Sequence, residues 1–317
     1  MNTIPSIFNA RVINYTVSGG GEVPDKVLFP VTCLVINRKN TQYKSRIYDN
    51  LADKGFAQII SVETNQKGIS GELPVKDYPF VKFLVTRENV TCGDMINIGM
   101  QEAENPYVLV LPNELCEEKV QFTQTLYEKL VEKEQFCLVP RLFDSNRKPV
   151  PVMFRPESKK SVFFVEPDFS AGEGEHTLYA ADFAGFYNRQ KFIQLGGFDY
   201  TITSKYWQKL DLFFRAWLWG EKVTVASAME FFYSAAVPDE DQSPDLSYLR
   251  FYLKNLVPVF KTDHAYIPVS SFFAFKLRNS CGLNESLSQF SGARKWTYQN
   301  RYRFKKDAVM LIEEWGK

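Results

Sequence analysis

Three groups of polar residues could act together on one ligand, because each group directly follows an apolar segment. The groups are Asn37 with Arg38, Glu63 with Asn65, and Asn113 with Glu114. Carboxylate and amide oxygens accept hydrogen bonds or ligate hard cations such as Mg²⁺, and a guanidinium pairs with phosphate. These residues are therefore the first candidates for a binding site.

The segments around these residues predict an α/β fold. Apolar runs that suit buried strands cover residues 31–36, 57–62, 80–85 and 107–111. Helical patterns cover residues 42–54, 91–104 and 114–134, and Thr91 and Asp94 have the spacing of an acidic capping box. This alternation predicts a mostly parallel sheet with helices on both faces. In such sheets ligands bind beyond the carboxyl ends of the strands, which is where the polar groups lie.

The rhythm of the sequence changes after about residue 140. Short strands are predicted at residues 161–165, 179–186 and 222–226, with an aromatic helix at 206–219. A polar segment at 238–244 precedes a further predicted helix at 246–260. We therefore predict one α/β domain over residues 1–240 and a C-terminal helical extension over residues 241–317.

Composition limits the classes of function. The formal net charge of +1 gives no general attraction for nucleic acid, so nucleic acid is not an expected partner. No secretion signal and no apolar run of about eighteen residues is present, so no membrane span is predicted. The five widely spaced cysteines argue against a disulfide framework and predict a cytoplasmic location. With two histidines, a multi-histidine metal site is excluded.

Two stretches resemble family 2 glycosyltransferases, which have the GT-A fold. In the first, Asn89 and Gly93 precede the pattern Asn97-x-Gly99-x-x-x-Ala103 and the apolar strand at 107–111. In the second, the sequence Gly-Gly-Phe-Asp at residues 196–199 precedes a helix with the residues Trp207, Asp211 and Arg215, closed by Gly220. The resemblance covers roughly residues 30–228, and its order and spacing are specific for fold.

The resemblance implies a nucleotide-sugar donor and transfer of the sugar, with inversion, to a hydroxyl of a glycan, lipid or protein acceptor. It implies that the donor is bound by Asn37, Arg38, Glu63, Asn65, Asn97, Asn113 and Glu114. Glu63 stands where the family has an Asp that holds the base or ribose, and the alternative is a solvated residue at a strand end. The resemblance also assigns Asp199 and Trp207 to the acceptor side.

The metal-binding motif of the family is altered in this sequence. Family members use Asp-x-Asp after the fourth strand to hold Mn²⁺ or Mg²⁺, which neutralises the departing diphosphate. Here the sequence is Leu-Pro-Asn-Glu at residues 111–114, so Glu114 is a weak metal candidate with Asn113 beside it. The alternative is that Glu114 begins a helix, where an acid is favoured by the helix dipole.

The catalytic motif is altered as well. Gln208 and Lys209 stand where the family has the Glu-Asp pair that supplies the general base, and Asp211 remains. Lys209 could replace the metal as a positive charge, and Asp211 is either a shifted base or the partner of Arg215 one turn away. The three changed acids leave two hypotheses. One is a transferase with weak or no metal dependence; the other is an inactive domain that binds a glycan, nucleotide or protein.

The C-terminal run at residues 294–306 contains six cations and four aromatic residues. This mixture suits a peripheral contact with an anionic membrane, here the inner face, since rings lie at headgroup depth and cations meet lipid phosphate. It would also suit a nucleic-acid strand. The third interpretation is a helix whose cations extend to solvent over the surface of the domain.

Overall fold

The computed structural model describes residues 11–24, 26–38, 45–64, 73–116, 121–160, 162–170, 172–277 and 281–316. The strands are β1 Tyr15–Gly19, β2 Phe29–Asn37, β3 Phe56–Thr64, β4 Val81–Thr86, β5 Tyr107–Pro112, β6 Cys137–Phe143, β7 Pro149–Val150, β8 Met153–Lys159, β9 Val162–Asp168, β10 Gly185–Asn188, β11 Val223–Phe232, β12 Val259–Lys261 and β13 His264–Tyr266. The helices are α1 Ser45–Ala52, α2 Cys92–Glu102, α3 Gln124–Glu132, α4 Arg189–Leu195, α5 Lys205–Leu218, α6 Leu246–Phe251, α7 Ser271–Leu277, α8 Leu283–Asn300 and α9 Ala308–Glu314.

The central element is a mixed sheet. Over the described residues its order is β1-β4-β3-β2-β5-β10-β6-β11, with β7 paired to β6. Strands β2 to β5 are mutually parallel, as are β6 and β11, whereas β1, β7 and β10 run antiparallel to their neighbours. The predicted α/β fold, with a mostly parallel sheet flanked by helices, is confirmed.

The inner strands and α2 form as the sequence predicts. Strand β2 is buried at six consecutive residues, 31–36, because both faces of the sheet are covered. Thr91 caps α2 by accepting a hydrogen bond from the Asp94 backbone, and the Asp94 side chain accepts one from the Thr91 backbone. The predicted capping box is therefore confirmed, and it fixes the start of α2 against the sheet.

Two predicted helices are shorter in the structure. Instead of a helix over 114–134, a 3-10 turn at Asn113–Leu115 follows β5, and α3 begins at Gln124; residues 117–120 lie outside the described part. The helix predicted at 246–260 is α6 followed by a π-helical turn at Tyr252–Leu256. Its end is explained by Pro258, since proline lacks an N–H and disfavours helix at the preceding residue.

The chain beyond residue 245 packs back onto the sheet domain. Besides helices it contains the hairpin β12–β13, which the sequence did not predict. Trp315 packs on Trp217 of α5, and Trp296 of α8 stacks on Trp219. The predicted boundary at residues 240 and 241 stays a prediction. Within the described ranges, no helix combines the length and apolar character needed to cross a membrane.

Candidate functional site

The strand-end residues meet at one edge of the sheet because β2, β3 and β5 are parallel and adjacent. Asn37 of β2 lies opposite Glu63 of β3, and Ile36 lies opposite Pro112 of β5. Asn113 and Glu114 therefore follow β5 beside Asn37 and Arg38. The predicted grouping of these residues is thus present in the structure, while Asn65 lies outside the described residues.

Arg38 joins the two sides of this edge. Its Nη2 donates to Glu114 Oε2 at 3.0 Å and to Asp182 Oδ2 at 2.9 Å, and its Nη1 donates to the other Asp182 oxygen. The Arg38 side chain is only 10% exposed. Burial alone would lower the pKa of Arg38, but the Asp182 and Glu114 carboxylates outweigh it and raise that pKa. Arg38 is therefore a permanent cation between two carboxylates.

Asp182 is a site residue that the sequence did not reveal. It lies in a 3-10 turn, Ala181–Phe183, with a left-handed backbone (φ 49°) that is uncommon for a non-glycine residue. Besides Arg38 it accepts hydrogen bonds from Lys205 Nζ at 2.7 Å and Tyr233 Oη at 3.1 Å. Burial alone would raise the pKa of Asp182, yet the Arg38 and Lys205 charges lower it. Asp182 is thus held as a carboxylate.

Glu63 is buried and holds Asn37 in place. Glu63 Oε2 accepts a hydrogen bond from Asn37 Nδ2 at 2.8 Å, and Glu63 Oε1 accepts one from Ser61 Oγ at 2.6 Å. Tyr48 Oη also donates to Oε1 at 3.4 Å. Glu63 is therefore not the solvated strand-end residue of the alternative interpretation. Because the Asn37 amide nitrogen is bound to Glu63, its carbonyl oxygen is turned away from Glu63.

Three oxygens at this edge have no hydrogen-bond partner within the described structure: Asn37 Oδ1, Asn113 Oδ1 and Glu114 Oε1. All three atoms are buried, and Asn113 and Glu114 are only 3% and 5% exposed as residues. A buried acceptor without a donor costs about 1–3 kcal/mol and is uncommon in folded proteins. The arrangement therefore fits a ligand that supplies hydroxyl or N–H donors. We call Asn37, Arg38, Asn113, Glu114 and Asp182 the strand-end cluster.

Lys209 of α5 is fully buried, and its ammonium lies 5.8 Å from the ring centre of Phe183, the chain neighbour of Asp182. Its ammonium forms an ion pair with Glu240 and lies 4.5 Å from the centre of the Tyr179 ring. Burial lowers the pKa of Lys209, although Glu240 partly offsets the effect. The Glu240 side chain is 21% exposed. Its charge also contributes to raising the pKa of Tyr233, which donates to Asp182, so Glu240 lies near the strand-end cluster.

Asp211 lies away from the strand-end cluster, and its carboxylate is bonded to other residues. Its carboxylate pairs with Arg215, accepts from Lys254 Nζ at 3.0 Å, and accepts from Asn255 Nδ2 at 2.8 Å. We call these four residues, Asp211, Arg215, Lys254 and Asn255, the helix cluster. Asp211 is fully buried, so the pairing with Arg215 that the spacing allowed is the one the structure shows. The structure gives no support to Asp211 as a base, because its oxygens are committed to these cations and amide.

One further predicted site residue, Asn97, holds the local backbone in place instead. Asn97 accepts from the Phe198 backbone N–H and donates to the Phe198 carbonyl, both at 2.9 Å. It therefore fastens the Gly-Gly-Phe-Asp turn to α2, which is inconsistent with donor binding by its amide. Gly197 is required there, since its φ is +71° and a Cβ would lie 2.6 Å from Asn97 Oδ1.

The predicted acceptor-side residues are also engaged. Asp199 accepts from Lys254 Nζ at 2.7 Å and from Thr201, and it is 6% exposed. Trp207 is 7% exposed and donates from its ring to the Ser243 carbonyl at 3.1 Å. Trp207 fastens the segment after residue 240 onto α5, and Asp199 fastens it onto the turn before that helix. An acceptor contact through these side chains is therefore not what the geometry favours.

A divalent cation does not fit the residues present. No group of three or more His, Cys, Asp or Glu side chains that could hold a metal occurs in the part of the chain that the structure describes. Glu114 and Asp182 are the two carboxylates that pair with Arg38, whose guanidinium lies between them. The assignment of Glu114 as a metal ligand stays a prediction, and this arrangement disfavours it because the Arg38 guanidinium already pairs with the Glu114 carboxylate.

The fold resembles solved glycosyltransferase structures. A crystal structure of GalNAc-T7 with UDP, GalNAc and Mn²⁺ superimposes with a TM-score of 0.61 and 14% identity, covering 90% of this chain and 56% of that chain. A crystal structure of S. aureus TarS 1-349 gives a TM-score of 0.49 and 13% identity, covering 84% of this chain and 72% of that chain. The chain spans about half the length of the GalNAc-T7 structure.

Sequence comparisons add no closer relative. No protein-family model matches the chain, and the search of curated proteins gives no significant match. The structural likeness confirms the predicted GT-A-like glycosyltransferase fold. At this low identity, the likeness concerns the fold alone.

Proposed function

We propose that the protein transfers a sugar from a nucleotide-sugar donor to a hydroxyl of an acceptor. The observation that carries this proposal is the set of three unpaired, buried oxygens on Asn37, Asn113 and Glu114. A nucleotide sugar supplies many hydroxyl and base N–H groups that could donate to them. The set lies beyond the carboxyl ends of parallel strands, where ligands of such sheets bind. The GalNAc-T7 structure of similar fold holds UDP and GalNAc.

In this proposal the strand-end cluster binds the donor, and Glu240 with Lys209 serves the acceptor. The three oxygens orient the donor, and Glu63 keeps Asn37 in the binding conformation. The acceptor oxygen forms the new bond to the anomeric carbon, whose bond to the diphosphate breaks with inversion. The acceptor proton passes to the Glu240 carboxylate, which Lys209 positions, and the nucleoside diphosphate departs. We propose no role for a divalent cation in this transfer, since Arg38 already neutralises the carboxylates.

A second candidate function is binding of a nucleotide, glycan or protein without turnover. It is favoured by Lys209, which stands at the position of the family's base and ties Glu240 in an ion pair. An ion pair weakens a carboxylate as a proton acceptor. On this alternative the strand-end cluster would still bind its ligand, and only the chemistry would be absent.

A thermal-shift titration tests the donor site. UDP, GDP, CDP and dTDP and their sugars are added with EDTA or with Mn²⁺, because a ligand that binds the folded state raises the melting temperature. We expect a rise that is selective for one nucleotide, persists in EDTA, and disappears in Asn113→Ala. Asn284→Ala, at an exposed position of α8, is the matched control and keeps the rise. No rise with any donor would refute the transferase proposal.

Turnover separates the two candidate functions. The donor that gives the rise is incubated with the protein, and release of the nucleoside diphosphate is measured with and without added glycan acceptors. Release that depends on protein and is absent in Glu240→Gln supports the transferase. Binding with no release by the wild-type protein supports the second candidate.

We also propose a cytoplasmic location and peripheral contact with an anionic membrane face. All five cysteines are free thiols, which suits a reducing compartment. Within residues 294–306, Trp296 and Phe304 are buried against the domain, but Tyr298 and Tyr302 are exposed and stack on Arg301. Co-sedimentation with vesicles that contain phosphatidylglycerol, compared with neutral vesicles, tests the contact. Arg301→Glu should abolish it.

A further inference from the structure

We infer that Arg38 is a built-in cation that keeps divalent metal out of the strand-end cluster, and that Glu114 and Asp182 form a latent metal site that opens when Arg38 is removed. The inference goes beyond the proposed function, because it concerns metal binding by the protein without any nucleotide sugar. It rests on the juxtaposition of two buried carboxylates on one guanidinium.

The spacing of the oxygens suits a metal. Glu114 Oε2 and Asp182 Oδ2 both contact the same nitrogen of Arg38, at 3.0 and 2.9 Å. They therefore lie at most about 6 Å apart. Two oxygens on opposite sides of one Mg²⁺ lie about 4 Å apart, because each Mg–O distance is about 2.0–2.1 Å. A small movement of the side chains would thus let both carboxylates bind one ion.

Further ligands are already in place at the same position. Glu114 Oε1 and Asn113 Oδ1 have no partner in the described structure, and both are buried. Hard cations such as Mg²⁺ and Mn²⁺ prefer carboxylate, carbonyl and water oxygens. With water completing the coordination shell, the two carboxylates and the Asn113 amide would supply the oxygen ligands of one ion. The Arg38 side chain occupies the position of that ion, so the ligands are present but the space is not.

Electrostatics also favours a metal ion in place of the Arg38 guanidinium once that side chain is removed. With Arg38 in place, a second cation at this position would meet the guanidinium charge and displace its hydrogen bonds. Without Arg38, two buried carboxylates would lie close together with reduced compensation, an arrangement that attracts a proton or a metal ion. Lys205 still pairs with Asp182 at 2.7 Å, so it will weaken the uncovered site without abolishing it. Removing Lys205 as well should therefore strengthen metal binding further.

Manganese binding to the full-length protein tests the inference. Free Mn²⁺ is measured by electron paramagnetic resonance as protein is added. We expect no tight site in the wild type or in Arg38→Lys, which retains the charge. Arg38→Ala should gain one Mn²⁺ per chain, bound about tenfold or more tightly than by wild type, the scale on which single groups around a metal alter affinity. The site should be lost again in R38A/E114Q and R38A/D182N.

Controls keep the outcome clear. Arg141→Ala removes an arginine from a surface ion pair with Glu230 and should bind Mn²⁺ like wild type. If Arg38→Ala does not fold, Arg38→Gln, which keeps a long uncharged side chain, replaces it. A wild-type site that is lost in Glu114→Gln would overturn the inference. So would a cooperatively melting Arg38 variant that gains no Mn²⁺. Neither outcome depends on whether a nucleotide sugar binds.

Discussion

The strand-end cluster and the helix cluster both bury charged residues, but their carboxylates differ in how many of their oxygens have hydrogen-bond partners. In the helix cluster, Asp211 accepts bonds from Arg215, Lys254 and Asn255 and is fully buried. In the strand-end cluster, the Glu114 carboxylate uses one oxygen on Arg38 and leaves the other unpaired. Burial of an acid is therefore not by itself a sign of chemistry. Asn255 Oδ1 of the helix cluster also has no partner in the described structure, so one unpaired acceptor is not a sign of a ligand site either. The better mark is the strand-end arrangement, in which three such oxygens, one of them on a carboxylate, lie at one edge of the sheet.

The largest expected effect separates the clusters by stability. Asp211→Asn replaces the carboxylate beside the buried Arg215 by a neutral amide and leaves Lys254 paired with the Asp199 carboxylate. Breaking such a network costs about 3–5 kcal/mol of the free energy of unfolding. Urea unfolding of the variant and wild type measures the difference. Glu230→Gln, in the surface pair with Arg141, is the control and should cost about 1 kcal/mol or less. A loss for Asp211→Asn as small as the control's would mean that the helix cluster is not structural.

The next largest effect is expected at Glu240, and it distinguishes a role as general base from a role only as the ion-pair partner of Lys209. Glu240→Gln should lower turnover of the identified donor by about 10²- to 10⁴-fold, the contribution of a general base. It also leaves the buried Lys209 unpaired, so the melting temperature should fall. The double variant K209M/E240Q should regain the melting temperature without regaining turnover. Recovery of both in the double variant would show that Glu240 only balances Lys209.

The dependence of stability on pH should be similar in the two clusters. Burial raises the pKa of both Asp182 and Asp199, but neighbouring cations lower it by more. For Asp182 the main cation is Arg38. For Asp199, which is bonded to the helix cluster through Lys254, it is that lysine. The unfolded value is 3.8, so each contribution is complete above pH 3.8 and is lost as the pH falls through the lower folded pKa.

Urea unfolding at a series of pH values from about 6 down to about 2 measures this acid dependence, and Asp182→Asn and Asp199→Asn should each flatten it. Asp77→Asn, at an exposed position, is the control. An unchanged acid slope in Asp182→Asn would show that Arg38 does not hold Asp182 in its charged form.

The strand-end residues could be predicted because their position depends on local patterns. Asn37, Glu63 and Asn113 each follow an apolar run, and parallel strands bring such ends together. Asp182 and Glu240 could not be predicted, since they approach the strand ends from segments far along the chain; Asp182 is 144 residues from Arg38. No local spacing marks an acid whose partner is so distant.

For the residues that were assigned by resemblance, the elements could be predicted but the roles of the side chains could not. The motifs located the turn and helix that contain Asn97, Trp207 and Asp211, and those elements are present. A motif does not show which polar atoms form hydrogen bonds within the fold itself. Asn97 binds the Phe198 backbone and Trp207 binds the Ser243 carbonyl, so their polar groups are committed before any ligand arrives. Only the pairing of each polar atom distinguishes such residues from those that remain available.

The smallest expected effect on stability is at Asn113, and it is the sharpest contrast with Asp211. Asn113→Ala removes an oxygen that has no partner in the described structure, so no protein hydrogen bond through that atom is lost. We expect the free energy of unfolding to change by less than about 1 kcal/mol, because an unsatisfied buried acceptor is itself unfavourable. The nucleotide-induced rise in melting temperature should nevertheless disappear. A variant that is strongly destabilised, or that keeps the rise, would show that the Asn113 oxygen serves the fold rather than a ligand, and the two clusters would then differ in degree only.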